Sequence, residues 1–339
     1  MKLNINNRRY IGNKTKLINF IDNCMAEEKI EFKSLGDVFS GTGVVAEYYL
    51  NKGKDVIVND LLYSNYIIYK ATLSNDSNYN LNKIEELLDK YNNMDSKKIE
   101  DNYFSNNFSG TYYHYLDAKK IGYIREDIEN KYLNNEITER EHDILVADLL
   151  YSMDKISNTV GHYESFLNKE PEYKNITMHS LEIKKYRAKA DIYNEDANNL
   201  VRKIKADVMY IDPPYNARQY ANFYHLLENV AKWEKPEVYN KAKKMKRDNI
   251  MSEYCKSNAR AVFEDLIDNL DTKYIVVSYN NTYEAKSTSS INSITYNDMI
   301  RILEKRGKVK VYETDYKYFN SGKTNLDKHK ERLFICKVK

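Results

Sequence analysis

Apolar positions along this chain recur with two different periods. Residues 35–39 form a short apolar run, a tight Ser40-Gly41-Thr42-Gly43 loop follows, and 44–51 carry helical spacing. A second apolar run at 56–58 ends at Asn59 and Asp60. Near-continuous apolar strands joined by a short helix predict a parallel sheet covered on both faces. From about 74 to 189 the rhythm changes. Residues 81–91, 117–133 and 139–156 place apolar side chains at helical spacing, and no strand rhythm appears. The aromatic stretch 102–113 reads as a loop. Strand-like sequence returns at 190–193 and, more strongly, at 206–212. A helix over 221–233, a basic linker around 235–254, a helix near 257–270, a strand at 274–278 and a helix at about 297–306 follow. Two alternating strands, 308–314 and 332–338, predict a terminal antiparallel hairpin. The pattern is an α/β sheet domain, 1–74 with 186–339, interrupted by a helical insertion over 75–185.

Composition narrows the class. The chain has 339 residues, 42% hydrophobic and 30% charged, enough apolar material for a large core. A mean hydropathy of −0.74, with no apolar run near the roughly 20 residues that span a bilayer, argues against a membrane protein. The basic start is not followed by a long apolar stretch, so no secretory signal is expected. Cys24, Cys255 and Cys336 lie far apart, which disfavours a disulfide framework or a zinc site and suits a reducing cytoplasm. The 32 tyrosines read as compositional bias. Net charge is only +3, but its distribution is uneven. Lys2, Arg8, Arg9, Lys14 and Lys16 all precede the first acidic residue, Asp22. Further basic clusters stand at 184–189 and 241–247. Such patches meet phosphates or form solvated surface.

The sharpest chemical signal is Asp212-Pro213-Pro214-Tyr215, directly after the apolar strand. Two of the chain's four prolines stand together here. Proline lacks an N–H, fixes its own φ and restricts the residue before it, so this is a rigid elbow at the carboxyl end of a strand. Open α/β sheets place ligands there. The elbow offers a carboxylate, carbonyls and an aromatic ring, which together suit methylation of an exocyclic amine. The lone pair of adenine N6 is delocalised into the ring. Accepting both N–H hydrogens, at the Asp212 carboxylate and the Pro213 carbonyl, favours the tetrahedral geometry in which that pair attacks. Tyr215 would stack on an extruded base, worth about 1–3 kcal/mol. The bland alternative is a strand-ending turn capped by a ring.

The second signal is Asp37-Val-Phe-Ser-Gly41-Thr-Gly43. Glycines after a first strand let the backbone approach a ligand, and the helix amino end favours an anionic group. Alone, the pattern fits a nicotinamide dinucleotide, S-adenosylmethionine or a plain turn. Asp60 lies roughly 20 residues beyond the turn, where a ribose-binding acid is expected. The elbow decides for S-adenosylmethionine.

On these segments the chain resembles the D12 (Dam-like, α-group) N6-adenine DNA methyltransferases. The matching stretches are RYIGNKTK at 9–16, DVFSGTG at 37–43, VND at 58–60, NEDA at 194–197 and DPPYNARQY at 212–220. With NYFSNNFSGTYY at 102–113 and NTVGHY at 158–163, they suggest the FokI-type modification methylases. The resemblance implies a Rossmann-like seven-stranded class I methyltransferase sheet with a helical target-recognition insert. It further implies transfer from S-adenosylmethionine, leaving S-adenosylhomocysteine, to a flipped adenine in double-stranded DNA. The resemblance places the cofactor at Tyr10, Lys14, Asp37, Phe39, Gly41, Thr42, Gly43, Asp60, Asp196, Ala197 and Asp212. It places the target amine at Asp212, Pro213, Pro214 and Tyr215, with no metal.

Contacts to DNA are expected from Arg8, Arg9, Lys14, Arg218, Gln219 and Tyr220. The alternatives are surface charge for the first three and a helix start for the last three. Asp196 fits a helix cap as well as an adenine contact. His162 reads as a structural histidine, and the aromatics of 103–113 as packing residues. Expected partners are duplex DNA and a cognate restriction endonuclease, with no membrane. A cytoplasmic, nucleoid-associated monomer or weak dimer is expected. The rival readings are methylation of RNA adenine or another exocyclic amine, and a non-catalytic DNA-binding subunit that retains the fold.

Overall fold

Strand and helix order follows the predicted alternation for most of the chain. The computed structural model describes residues 2–280, 292–315 and 330–339. Helix α1 (Ile18–Glu27) leads into β1 (Ser34–Asp37), α2 (Val44–Asn51) and β2 (Asp55–Asn59). Then come α3 (Tyr63–Thr72), α4 (Leu81–Asn92), α5 (Tyr103–Phe108), α6 (Tyr115–Leu133) and α7 (Glu139–Ile156), with the short strands β3 (Thr159–His162) and β4 (Ser165–Phe166). Next are β5 (Ala190–Tyr193), α8 (Ala197–Leu200), β6 (Val208–Ile211), α9 (Tyr220–Phe223) and α10 (His225–Lys232). Last come α11 (Ala259–Asp268), β7 (Tyr274–Asn280), α12 (Tyr296–Arg306), β8 (Gly307–Asp315) and β9 (Lys330–Val338).

Seven of these strands form one sheet in the order β5-β2-β1-β6-β7-β9-β8. The first five pair in parallel, and β9 runs antiparallel to both β7 and β8. This is the seven-stranded Rossmann-like methyltransferase arrangement that the resemblance implies. The central strand β6 is buried at every position, as its uninterrupted Val-Met-Tyr-Ile run requires of a strand covered on both faces. From β1 the order runs outward to β2 and β5 on one side and to β6 and β7 on the other. The carboxyl ends of β1 and β6 therefore flank a topological switch point.

Two compact units partition the described chain. The sheet lies in Gly12–Leu61, Tyr186–Tyr220 and Asn249–Lys339, and most of the helices lie in Met1–Ile11, Leu62–Lys185 and Ala221–Asp248. The helical unit ends at Lys185, as the expected insertion does, but it begins at Leu62 and also takes in Met1–Ile11 and Ala221–Asp248; side-chain anchoring explains why. Within the helical unit, Glu228 of α10 accepts the Tyr63 and Ser64 amides at the start of α3 (3.1 and 2.6 Å). Arg8 donates to Asn65 of α3 (2.5 Å). No described helix is long and apolar enough to cross a membrane.

Three local expectations are corrected. The stretch 102–113 contains a helix, α5, whose Asn102 and Ser105 form a reciprocal capping box; six residues are too few for periodicity to show. Residues 159–166 form a two-stranded antiparallel ladder where no strand rhythm appears, because its register is irregular. The helix over 221–233 is two pieces, α9 and α10, and it ends where Trp233 turns left-handed (φ 56°).

Candidate functional site

The sheet unit assembles its chemical groups at the switch point. Asp37 closes β1, opposite Tyr210 of β6, so the glycine turn and the Asp-Pro-Pro-Tyr elbow leave adjacent strands side by side. Gly41 and Gly43 take φ of 54° and 78°, a left-handed conformation that side chains disfavour, and Gly43 is the N-cap of α2. Asn59 fastens the neighbouring strand ends. Its amide group donates to the Val38 and Glu195 carbonyls (3.0 Å each), and its side-chain oxygen accepts the Glu195 amide. Asp60 accepts the Gly41 amide at 2.9 Å, so the acid expected to hold a ribose also braces the glycine turn. Phe39 packs edge-on against Tyr254. Thr42 and Ala197 are buried, and Asp196 caps α8 by accepting the Asn199 amide.

Asp37 is 1% exposed, and neither carboxylate oxygen closes a well-formed hydrogen bond among the described residues. Burial first, then the charge of Asp212, pushes its pKa well above the usual carboxylate range, against the nearby Ser40 hydroxyl. A buried, unsatisfied acid beside a glycine turn fits a ligand that brings a donor or a positive charge.

At the elbow a compact charged cluster forms. Lys14 Nζ lies 2.9 Å from Asp212 Oδ2 and 3.4 Å from Glu331 Oε1, and it donates to the Tyr215 hydroxyl at 2.8 Å. The Tyr215 hydroxyl stands 2.5 Å from Asp212 Oδ1 and 2.9 Å from Glu331 Oε1. Burial raises the Asp212 pKa, Lys14 opposes that rise and Glu331 adds to it. Burial and the two carboxylates hold the Tyr215 phenol well above its ordinary pKa, so it stays a proton donor. The Tyr215 carbonyl accepts from the Ser293 amide and the Tyr279 hydroxyl (2.7 and 3.1 Å), which fixes the exit of the elbow. Among the described residues the Pro213 carbonyl accepts no hydrogen bond, and Pro213 is buried while Pro214 is half-buried.

The remaining sequence-derived residues divide between the two units. In the sheet unit, Gln219 is buried and exchanges a pair of hydrogen bonds with the Ser252 backbone (2.9 and 2.8 Å). Tyr220 packs its hydroxyl over Gly12, whose φ of 81° and lack of a side chain make room for it. Arg218 is exposed. In the helical unit, Arg8 is 5% exposed and lies 5.3 Å from the ring centroids of both Tyr10 and Tyr224, which stack on each other. Arg9 is exposed.

Glu331 is absent from the sequence-derived set. Its signal is a charge on the face of β9 that also carries the buried Leu333 and Ile335, in a strand whose residues 333–336 are all buried.

Residues 10–291 match the family described as D12 class N6 adenine-specific DNA methyltransferase. The chain is 33% identical to the modification methylase StsI of Streptococcus sanguinis over 342 residues, 95% of this chain and 50% of that protein. It is 33% identical to the type II methyltransferase M.NlaIII of Neisseria lactamica over 331 residues, 95% of each chain. It is 31% identical to the type II methyltransferase M.FokI of Planomicrobium okeanokoites over 342 residues, 95% of this chain and 50% of that protein. The chain spans about half the length of several of the curated relatives it matches.

Proposed function

Since the chain belongs to the D12 class of N6-adenine-specific DNA methyltransferases, we propose that it methylates the N6 amine of an adenine flipped out of duplex DNA. It would act at a specific site, as the modification enzyme of a restriction–modification system. The observation that carries this reading is the Lys14–Asp212–Tyr215 cluster at the end of β6, next to the glycine turn of β1.

The residues around that turn fit S-adenosylmethionine. Asp37 offers a buried acid in need of a donor, Gly41, Thr42 and Gly43 supply a turn open to close approach, and Asp60 keeps a carboxylate at the end of β2. Phe39, Asp196 and Ala197 would complete the cradle, with Lys14 toward the methionine end. When bound, the group supplies a methyl on a sulfonium sulfur that leaves with the S–C bonding pair retained by sulfur. Asp212 and the Pro213 carbonyl would accept the two N6 hydrogens, so that the amine lone pair is free to form the new N–C bond. The methylated nitrogen is then cationic, and Asp212 would take its extra proton. Tyr215 would stack on the extruded base, while Pro213 and Pro214 keep the acceptors preorganised.

For DNA, the exposed Arg9 and Arg218 suit phosphate contact directly. The buried Arg8 would act by bracing the Asn65 side chain, Gln219 by holding the Ser252 backbone, Tyr220 by packing on Gly12, and Lys14 through Asp212. The helical stretch 75–185 would read the target.

The test uses purified protein, tritiated S-adenosylmethionine and plasmid DNA grown without adenine methylation. Label is expected in N6-methyladenosine released from the DNA. Asp212→Ala should lower transfer by at least about 100-fold while cofactor affinity changes only a few-fold. Label entering RNA or protein instead, or undiminished turnover by Asp212→Ala, would contradict the reading. DNA binding with no transfer would point to a non-catalytic subunit.

A further inference from the structure

The elbow cluster contains one acceptor too many for a static role. Asp212 already holds a donor on each oxygen, the Tyr215 phenol on Oδ1 and the Lys14 ammonium on Oδ2. An arriving exocyclic amine has to compete with both for the same carboxylate charge. The phenol carries a single proton and faces two acceptors, Asp212 Oδ1 at 2.5 Å and Glu331 Oε1 at 2.9 Å. Lys14 is likewise within reach of both carboxylates. Glu331 itself has a side chain only 4% exposed. Among the described residues one ammonium faces both acids, so the more deeply buried Glu331 is costly to keep for packing alone. Two acids sharing one described counterion at the mouth of a strand are a functional-site candidate.

We propose that Glu331 is a positioning residue for methyl transfer: when the target amine reaches Asp212, the Tyr215 hydroxyl turns its proton from Asp212 to Glu331, which also draws Lys14 toward itself. Asp212 is thereby freed of a donor at the moment its charge is needed. No covalent bond changes in this swap; one O–H···O contact is exchanged for another, and a rotation of the hydroxyl suffices. The proposal rests on the methyltransferase reading above and adds to it a partner on β9, outside the elbow itself. Glu331 also raises the cost of charging Asp212, so it keeps that acid a better proton acceptor for the methylated amine.

The experiment is a double-mutant cycle of Glu331→Gln and Tyr215→Phe. It is read by single-turnover methyl transfer to the same plasmid DNA across pH, with cofactor affinity and thermal melting as controls. Each single variant should lose about tenfold or more in rate at nearly unchanged cofactor affinity. The double variant should be no worse than the poorer single one, because both break the same swap. The acidic limb of the rate should also move to lower pH in Glu331→Gln, since removing a neighbouring negative charge makes Asp212 harder to protonate. The other groups facing Asp212 (Lys14, Tyr215, Tyr210 of β6 and Asp37 of β1) are unchanged in that comparison.

Additive losses, or a Glu331→Gln enzyme with wild-type rate and pH profile, would overturn the swap while leaving the activity in place. A wild-type protein that transfers no methyl to DNA overturns both readings together. If Glu331→Gln does not fold, Tyr215→Phe carries the test alone: an unchanged rate and pH profile would overturn the swap.

Discussion

At the residue scale, two kinds of position dominate the site: glycines that take conformations other residues resist, and buried charges that share too few counterions. Gly43 has φ 78° and caps α2, so a side chain there is strained whatever the space around it. Gly43→Ala is expected to cost about 1–2 kcal/mol of stability, visible as a lower melting temperature, and to weaken S-adenosylmethionine binding in a calorimetric titration. Both glycines of the turn and the Asp-Pro-Pro-Tyr elbow were legible in the sequence because each depends on a property of its own residue type. Glu331 was not, because a single glutamate in a β-hairpin looks like any solvated charge until β9 is placed beside β7 and the elbow. Arg8 shows the converse. In sequence it belongs to a basic segment suited to phosphate, whereas it is buried beside the Tyr10 and Tyr224 rings.

At the element scale, the amino ends of the central strands are clamped by one acid. Asp207, just before β6, accepts the Lys33 and Ser34 amides at the start of β1 (2.8 and 3.3 Å) and pairs with Lys273 before β7 (2.8 Å). The Lys273 contact, followed by the amides, lowers its pKa to about 2. A depressed folded-state pKa means the unfolded chain binds the proton more readily. The contribution is therefore present above the ordinary carboxylate pKa near 4 and is lost as pH falls toward 2. Lys273 is largely exposed, so we discount the contribution to about 1 kcal/mol. Asp207→Asn should lower the melting temperature at pH 7 by a few degrees, and the difference from wild type should shrink between pH 4 and 2. Long elements such as α6 and α7 were readable from periodicity. The short α5 and the β3–β4 ladder were not: α5 buries Phe104 and Phe108 but is only six residues long, and the ladder's register is irregular.

At the scale of the whole molecule, the net charge of +3 gives no strong field, so DNA affinity is expected to rest on local contacts. Duplex binding should fall linearly with the logarithm of salt concentration. Arg9→Ala and Arg218→Ala should each reduce that slope by about 1, uniformly across DNA sequences, in fluorescence titrations at several salt concentrations. Unchanged slopes would remove both residues from the phosphate contacts. Packing also divides the chain differently from its apolar rhythm. Residues 221–248 follow the elbow in sequence but pack in the helical unit, where Glu228 anchors α3. Rhythm reports which face of an element is buried and carries no information about which element covers it.

The sequence alone determined the alternation of strands and helices, the glycine turn and the proline elbow on which the proposed methyl transfer rests. Each follows from periodicity or from backbone limits local to a few residues. Tertiary structure alone decided that Lys14, Asp212, Tyr215 and Glu331 share one charge cluster, since they converge across more than 300 residues of chain. Which acid meets which base depends on strand order, and strand order is a property of the folded sheet.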